Sequence, residues 1–369
     1  MALSLRTSAN IKTRSRLKAP GSGQQPDAVC RVPSAEQVLD LIGNTPLLPL
    51  THIGEGLNGV RLLAKAEWFN PGGSVKDRAA ASMIAEAEAA GQLMPGKTIL
   101  DASSGNTAVA EAMIASTKGY RATLCVPKNA NPQVLVLLKA YGAQVVLTDP
   151  LEGSDGAIRA ARRLAAERPD KFIYLNQYDN PANWQVHYRT TAEEIWRQTD
   201  GAVTHFIAGL GTTGTFTGTT RRLKELNPAI CAIAVQPDAA LHGLEGLKHL
   251  GSAILPGIYD PSLPDETRFV ATEDAYAAVE RLVGQESVFV GPSAGAALFA
   301  GLAVARACAA AEQPATIVMI FPDAGARYLI EGLFTPPHHG DVTLRQARLR
   351  QAHRNRVLEP TDTSSNPPR

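Results

Sequence analysis

The sequence predicts an α/β chain built from two parallel-sheet domains, and three observations predict it. Short β-branched runs alternate with longer helical patterns through the middle of the chain, the alternation that gives right-handed βαβ units and helix-covered parallel sheets. Glycine- and hydroxyl-rich clusters recur between a strand-like run and the helix that follows. The length, 369 residues, amounts to two domains at about 150 residues each.

Composition narrows the class. Hydrophobic residues make up 44% and charged residues 19%, the mix of a soluble globular protein with a sizeable core. A formal net charge of +1 gives no electrostatic reason to bind nucleic acid or an anionic membrane. The apolar stretches, such as Ala315 to Phe321, fall far short of the ~20 residues of a membrane helix. The four cysteines, Cys30, Cys125, Cys231 and Cys308, are too far apart for zinc or redox spacings, so no metal site is expected. Cys125 and Cys231 sit in apolar strand-like runs and read as small buried thiols, which fits a reducing, cytoplasmic compartment.

Residues 1–35 are basic, with no acid before Asp27 and no apolar periodicity, and predict a disordered tail. An Arg- and Ser-rich start also fits an organelle transit peptide, while a secretory apolar region is missing. Strands are expected at 98–100, 122–126, 144–147, 204–208, 232–235, 288–290 and 316–321. Helices are expected at 78–90, 107–118, 131–141, 154–168, 215–226, 272–283 and 294–311. Residues 336–369 form a polar, basic tail, with one short surface helix after Asp341.

In parallel sheets, ligands sit beyond the carboxyl ends of strands, so the strand-to-helix turns carry the functional reading. The first is Asn70-Pro71-Gly72-Gly73-Ser74-Val75-Lys76. A lysine at the positive end of a helix dipole has a lowered pKa, which suits a Schiff-base nucleophile; a solvated surface lysine is the plain alternative. The second, Ser103-Ser104-Gly105-Asn106-Thr107, offers hydroxyls and backbone N–H groups to a carboxylate, beyond what one N-cap needs. The third, Gly209 to Thr215, reads as a phosphate cradle without the lysine of a nucleoside-triphosphate loop, or else as a tight structural turn. The fourth, Gly291-Pro292-Ser293-Ala294-Gly295, formally matches a hydrolase elbow, with His338 and His339 close behind it in the tail.

These turns, in this order, resemble the cysteine synthase (O-acetylserine sulfhydrylase) and cystathionine β-synthase family of pyridoxal-phosphate (PLP) enzymes. Ile42-Gly43-Asn44-Thr45-Pro46-Leu47 is similar to the family's opening signature. Asn176 to Asn183 and His187 to Thr191 fall in further family segments, and the resemblance spans about Leu41 to Phe334. It implies the tryptophan synthase β-like fold (fold type II). It also implies a large PLP-binding domain of residues 36–80 and 183–335, and a small mobile substrate domain of residues 81–182. Lys76 would hold the cofactor and take the α-proton, and Asn106 would bind its ring oxygen. Gly211, Thr212, Thr213, Gly214 and Thr215 would bind its phosphate, and Ser293 would face its pyridine nitrogen. Ser103, Ser104, Gly105, Thr107 and Gln177 would hold the substrate carboxylate, while His187 is expected to be structural.

The implied reaction is β-replacement on an activated serine, O-acetylserine first, through an aminoacrylate, with a sulfur donor giving L-cysteine. Condensation of serine with homocysteine is the alternative, as is a non-catalytic homologue that binds a serine acetyltransferase tail. The family also implies a homodimer. Ser103 stands where the family usually has Thr, Ala108 replaces a common Gly, and the Gly-Thr-Thr-Gly cradle is similar to the B-type enzymes. The lid run Leu241 to Leu247 differs from the simplest cysteine synthases.

Overall fold

The computed structural model describes residues 35–329. Apart from Ala35, the predicted tails at 1–35 and 336–369 and the helix expected after Asp341 lie outside the described residues. The chain enters through β1 (Leu47–Pro49) and β2 (Val60–Ala66), and α1 (Lys76–Ala89) carries it to a second sheet. There β3 (Thr98–Ala102), α2 (Asn106–Lys118), β4 (Arg121–Pro127), α3 (Pro132–Ala140), β5 (Gln144–Thr148), α4 (Gly153–Glu167) and β6 (Phe172–Tyr174) alternate. It returns through α5 (Pro181–Val186), α6 (Ala192–Gln198), β7 (His205–Gly209), α7 (Gly214–Leu226) and β8 (Cys231–Pro237). Then come β9 (Glu266–Val270), α8 (Thr272–Glu286), α9 (Pro292–Ala310) and β10 (Ala315–Phe321).

Two sheets result. One has six strands in the order β1-β2-β10-β7-β8-β9, parallel except where the short β1 pairs antiparallel with β2. The other has four parallel strands in the order β5-β4-β3-β6. Their central strands are buried along their length: every residue of β3 and of β10 is buried. That is why β10 reads as a nearly unbroken apolar run rather than an alternating one.

Several expectations need correcting. The strand expected at 288–290 is a single bridge between Val290 and Ala324. β2 and β9 were not foreseen, because Arg61 and Lys65 interrupt the first and Glu266 and Arg268 the second. α9 is 19 residues long and apolar enough, by length and composition, to cross a membrane. The fold uses it as a core helix instead: 67% of it is buried, in the cluster that includes Ile207, Val279's neighbour Ala275, Ile317 and Met319. Cys125 and Cys308 are buried and Cys231 is half-buried, all three as free thiols. Burial pushes the Cys125 thiol up to about 11, the range of an inert cysteine.

Candidate active site

Segments that follow β3, β6, β7 and β10 converge on one pocket, together with the first turns of α1 and α9. Of the residues singled out in the sequence, Lys76, Ser103, Ser104, Gly105, Asn106, Thr107, Gln177, Gly211, Thr212, Thr215 and Ser293 all line it. Thr213 and Gly214 belong to the same turn but do not line it.

Lys76 is the first residue of α1. The loop before it is closed from within: Asp77 accepts a hydrogen bond from the Gly72 N–H at 2.5 Å. The lysine is half-buried and lines the pocket. That burial lowers its pKa, against the attraction of Asp323 and Glu67. Two residues on, Arg78 is 1% exposed. It anchors the helix start through Glu67 at 2.8 Å and Glu194 at 2.6 Å.

The turn after β3 is tied into the strand layer. Ser103 N donates to the Cys125 carbonyl at 3.1 Å, and Gly105 N donates to Ser103 Oγ at 3.2 Å. Thr107 Oγ1 donates to Gln177 Oε1 at 2.6 Å, and Gln177 Nε2 donates to the Ala102 carbonyl at 2.7 Å. Two polar residues from distant segments therefore act as one surface.

The turn after β7 is shaped by close approach. A Cβ on Gly211 would lie 2.3 Å from the Gly246 carbonyl oxygen, so only glycine lets the two loops touch. Thr213 sits at the cap of α7 with φ 72°, a costly conformation for a β-branched residue, and its buried Oγ1 has no partner. Asn183 Nδ2 donates to Thr212 Oγ1 at 3.0 Å and to the Gln177 carbonyl at 2.7 Å, joining this turn to the previous one. His187, 1% exposed, places Nε2 3.2 Å from Thr215 Oγ1 and Nδ1 2.9 Å from Thr191 Oγ1. Burial pulls its pKa down to about 3, so it is a neutral support.

Ser293 is buried in the first turn of α9, after Pro292. The histidines that a hydrolase reading would need, His338 and His339, lie outside the described residues.

Sequence reasoning missed a group just past β10. Asp323, 1% exposed, accepts from Asn106 Nδ2 at 2.6 Å and from the Tyr328 hydroxyl at 2.5 Å, and burial raises its pKa. Arg327 donates to Asn106 Oδ1 and to the Gly72 carbonyl, so it bridges the first two turns. The Pro322–Gly325 turn after an apolar strand was the available signal.

This donor set fits pyridoxal phosphate. It holds a desolvated amine for an aldehyde, a glycine-enforced turn whose Thr212 and Thr215 line the pocket for a phosphate, and neutral polar side chains between them.

The comparisons agree. Residues 38–323 match the family model described as pyridoxal-phosphate dependent enzyme. A cysteine synthase of Aquifex aeolicus is 48% identical over 302 residues, covering 81% of this chain and 92% of that protein. Cysteine synthase B of Salmonella typhimurium is 41% identical over 297 residues, covering 80% and 95%. The crystal structure of a cysteine synthase from Entamoeba histolytica superposes with a TM-score of 0.77 at 33% identity, covering 87% of this chain and 96% of that one. The chain belongs to the family of pyridoxal-phosphate-dependent enzymes. Its activity is PLP-dependent cysteine synthesis from small-molecule substrates.

Proposed function

We propose that this pocket replaces the β-substituent of O-acetylserine with a sulfur nucleophile, and that the turns divide the work as follows. Pyridoxal phosphate, when bound, supplies an electron sink for charge developing at the amino acid's α-carbon. Lys76 would hold the cofactor through its desolvated amine and, when free of it, would be the base for the α-proton. Gly211, Thr212, Thr213, Gly214 and Thr215 would hold the phosphate, and Asn106 the ring oxygen. The uncharged Ser293 hydroxyl would face the pyridine nitrogen without forcing a proton onto it, which would favour prompt loss of the leaving group. Ser103, Ser104, Gly105, Thr107 and Gln177 hold the substrate carboxylate and so orient the Cα–H bond.

The observation that carries this reading is one pocket lined by a desolvated lysine, a hydroxyl-rich turn and a glycine-rich turn. The test is the visible spectrum of the purified protein with O-acetylserine and then sulfide. A band that moves to longer wavelength and returns supports the full cycle. A response to O-phosphoserine or serine alone would change the donor, and no band after incubation with PLP would sink the reading.

The body around the four-stranded sheet, residues 81–182, is proposed to close on the carboxylate, leaving the cofactor on residues 36–80 and 183–335. A homodimer is proposed from the family resemblance, with sedimentation as its check. A serine acetyltransferase C-terminus is a proposed partner, because a peptide carboxylate offers the Ser103–Thr107 turn the same chemistry as the substrate. A cytoplasmic location is proposed from the bacterial relatives, which give organellar import no support.

A further inference from the structure

Behind the turn proposed to take the carboxylate lie two acids that no step above uses. Asp101 is on β3 and Glu111 on α2, and each is 0% exposed. Strand and helix flank the Ser103–Gly105 turn, and the two carboxyls meet side chain to side chain behind it. Asp101 is supplied with donors: Oδ1 accepts from Ala102 N at 2.7 Å and Oδ2 from Gln177 N at 3.2 Å. Glu111 is not. Neither of its oxygens has a donor, and among the described residues neither acid forms an ion pair with a lysine or arginine. Facing groups from the packed elements are Cys125 on β4, Tyr174 on β6 and Tyr178 after it. Arg162 and Arg163 of α4 act on Tyr174 and Cys125 rather than on the acids. Two buried carboxylates side by side, one without any donor, are strongly disfavoured unless a proton lies between them.

We propose that Glu111 is a positioning residue for the substrate carboxylate: its carboxyl donates a shared proton to Asp101 and so fixes Gln177 and Thr107. The proposal rests on the reading of those two residues as the carboxylate site. The connections form a closed ring. Asp101 holds the Gln177 backbone, the Gln177 side chain spans from the Ala102 carbonyl to Thr107 Oγ1, and Thr107 lies four residues before Glu111 on the same face of α2. Burial pushes the proton affinity of both acids up, that of Glu111 well above the ordinary range, and Asp101 adds to the shift at Glu111.

The test compares wild-type holoenzyme with Glu111→Gln and Glu111→Leu across pH. The amide of Glu111→Gln donates at every pH, so its KM for the amino acid stays flat where the wild-type KM climbs on the alkaline side. Glu111→Leu leaves Asp101 without that donor, raising KM about tenfold with kcat changed far less. Stability gives a second readout. The folded chain keeps a proton that the unfolded chain releases above about pH 4.5, so wild-type stability falls as pH rises from there, and Glu111→Gln flattens that slope. An infrared protonated-carboxyl band at neutral pH, lost in Glu111→Gln, reads the proton directly even if Glu111→Leu does not fold. Identical KM–pH profiles for wild type and Glu111→Gln, an unchanged KM in a less stable Glu111→Leu, or no such band would each overturn the proposal. A missing visible band in the wild type would instead fail the cofactor reading and leave the infrared and stability tests of the pair standing.

Discussion

Beneath Lys76 four charged side chains are buried together and all are compensated; beneath the turn proposed to take the carboxylate two acids are buried, and among the described residues neither pairs with a lysine or arginine. In the first cluster Lys65 meets Glu194 at 2.6 Å, and Arg78 meets Glu67 at 2.8 Å and Glu194 at 2.6 Å. Burial alone would raise Glu67, yet the Arg78 guanidinium brings it down to about 2. Arg78, raised by its acids, and Glu67 and Glu194, held below the usual carboxylate range by Arg78 and Lys65, keep their charges and hold the start of α1, while burial lowers the Lys65 ammonium against the pull of Glu194. The second cluster, Asp101 and Glu111, is neutralised only by a proton, and its state changes with pH. Compensation by a fixed charge gives rigidity, and compensation by a proton gives a setting that solution conditions can move.

Lys76→Ala carries the largest expected effect, a loss of turnover of about a thousandfold or more, checked by sulfide-dependent cysteine formation; activity that survived would remove the lysine from the chemistry. Next is Arg78→Met, which leaves Glu67 buried without an ion-pair partner and Glu194 with Lys65 alone, and should cost about 3–5 kcal/mol of stability in urea unfolding. Its effect should far exceed that of Glu111→Gln, because only the first change strands ionised groups. Gly211→Ala pushes a methyl onto the Gly246 carbonyl and should weaken PLP binding about tenfold, measured by fluorescence titration, with a separate overpacking cost to the fold of about 1–3 kcal/mol read by unfolding of the apoprotein. At neutral pH the smallest effect is that of His187→Gln. His187 is neutral when folded, with a pKa near 3, against 6.5 as its ordinary value. Unfolding thus takes up a proton between those values, and stability falls as pH drops through that window by at most about 1.4 kcal/mol per unit. The glutamine variant should lose that acid sensitivity.

The turns between β3 and α2 and between β7 and α7 were legible because clusters of Gly, Ser and Thr mark the carboxyl edge of a parallel sheet, whereas the turn before Ser293 follows only the Val290 bridge. Central strands such as β10 were legible as apolar runs. What escaped has a common cause: charge inside an element. Lys65 made β2 look exposed, yet it is buried against Glu194. Asp101 and Glu111 sit in apolar surroundings where the sequence alone cannot supply their partner, because each acid's partner is the other, ten residues away. Asp323 and Arg327 were missed because a turn without a hydroxyl cluster gives a weak signal, and only the fold brings them to Asn106.

Lys65 and Lys248 test the central assignment, since one is buried nearby and the other lines the same pocket, paired with Asp155 at 2.9 Å. The most direct measurement is to reduce the PLP-loaded protein with borohydride and map the labelled peptide. The account predicts a pyridoxyl group on Lys76 alone; a label on Lys248 or Lys65 instead would contradict it.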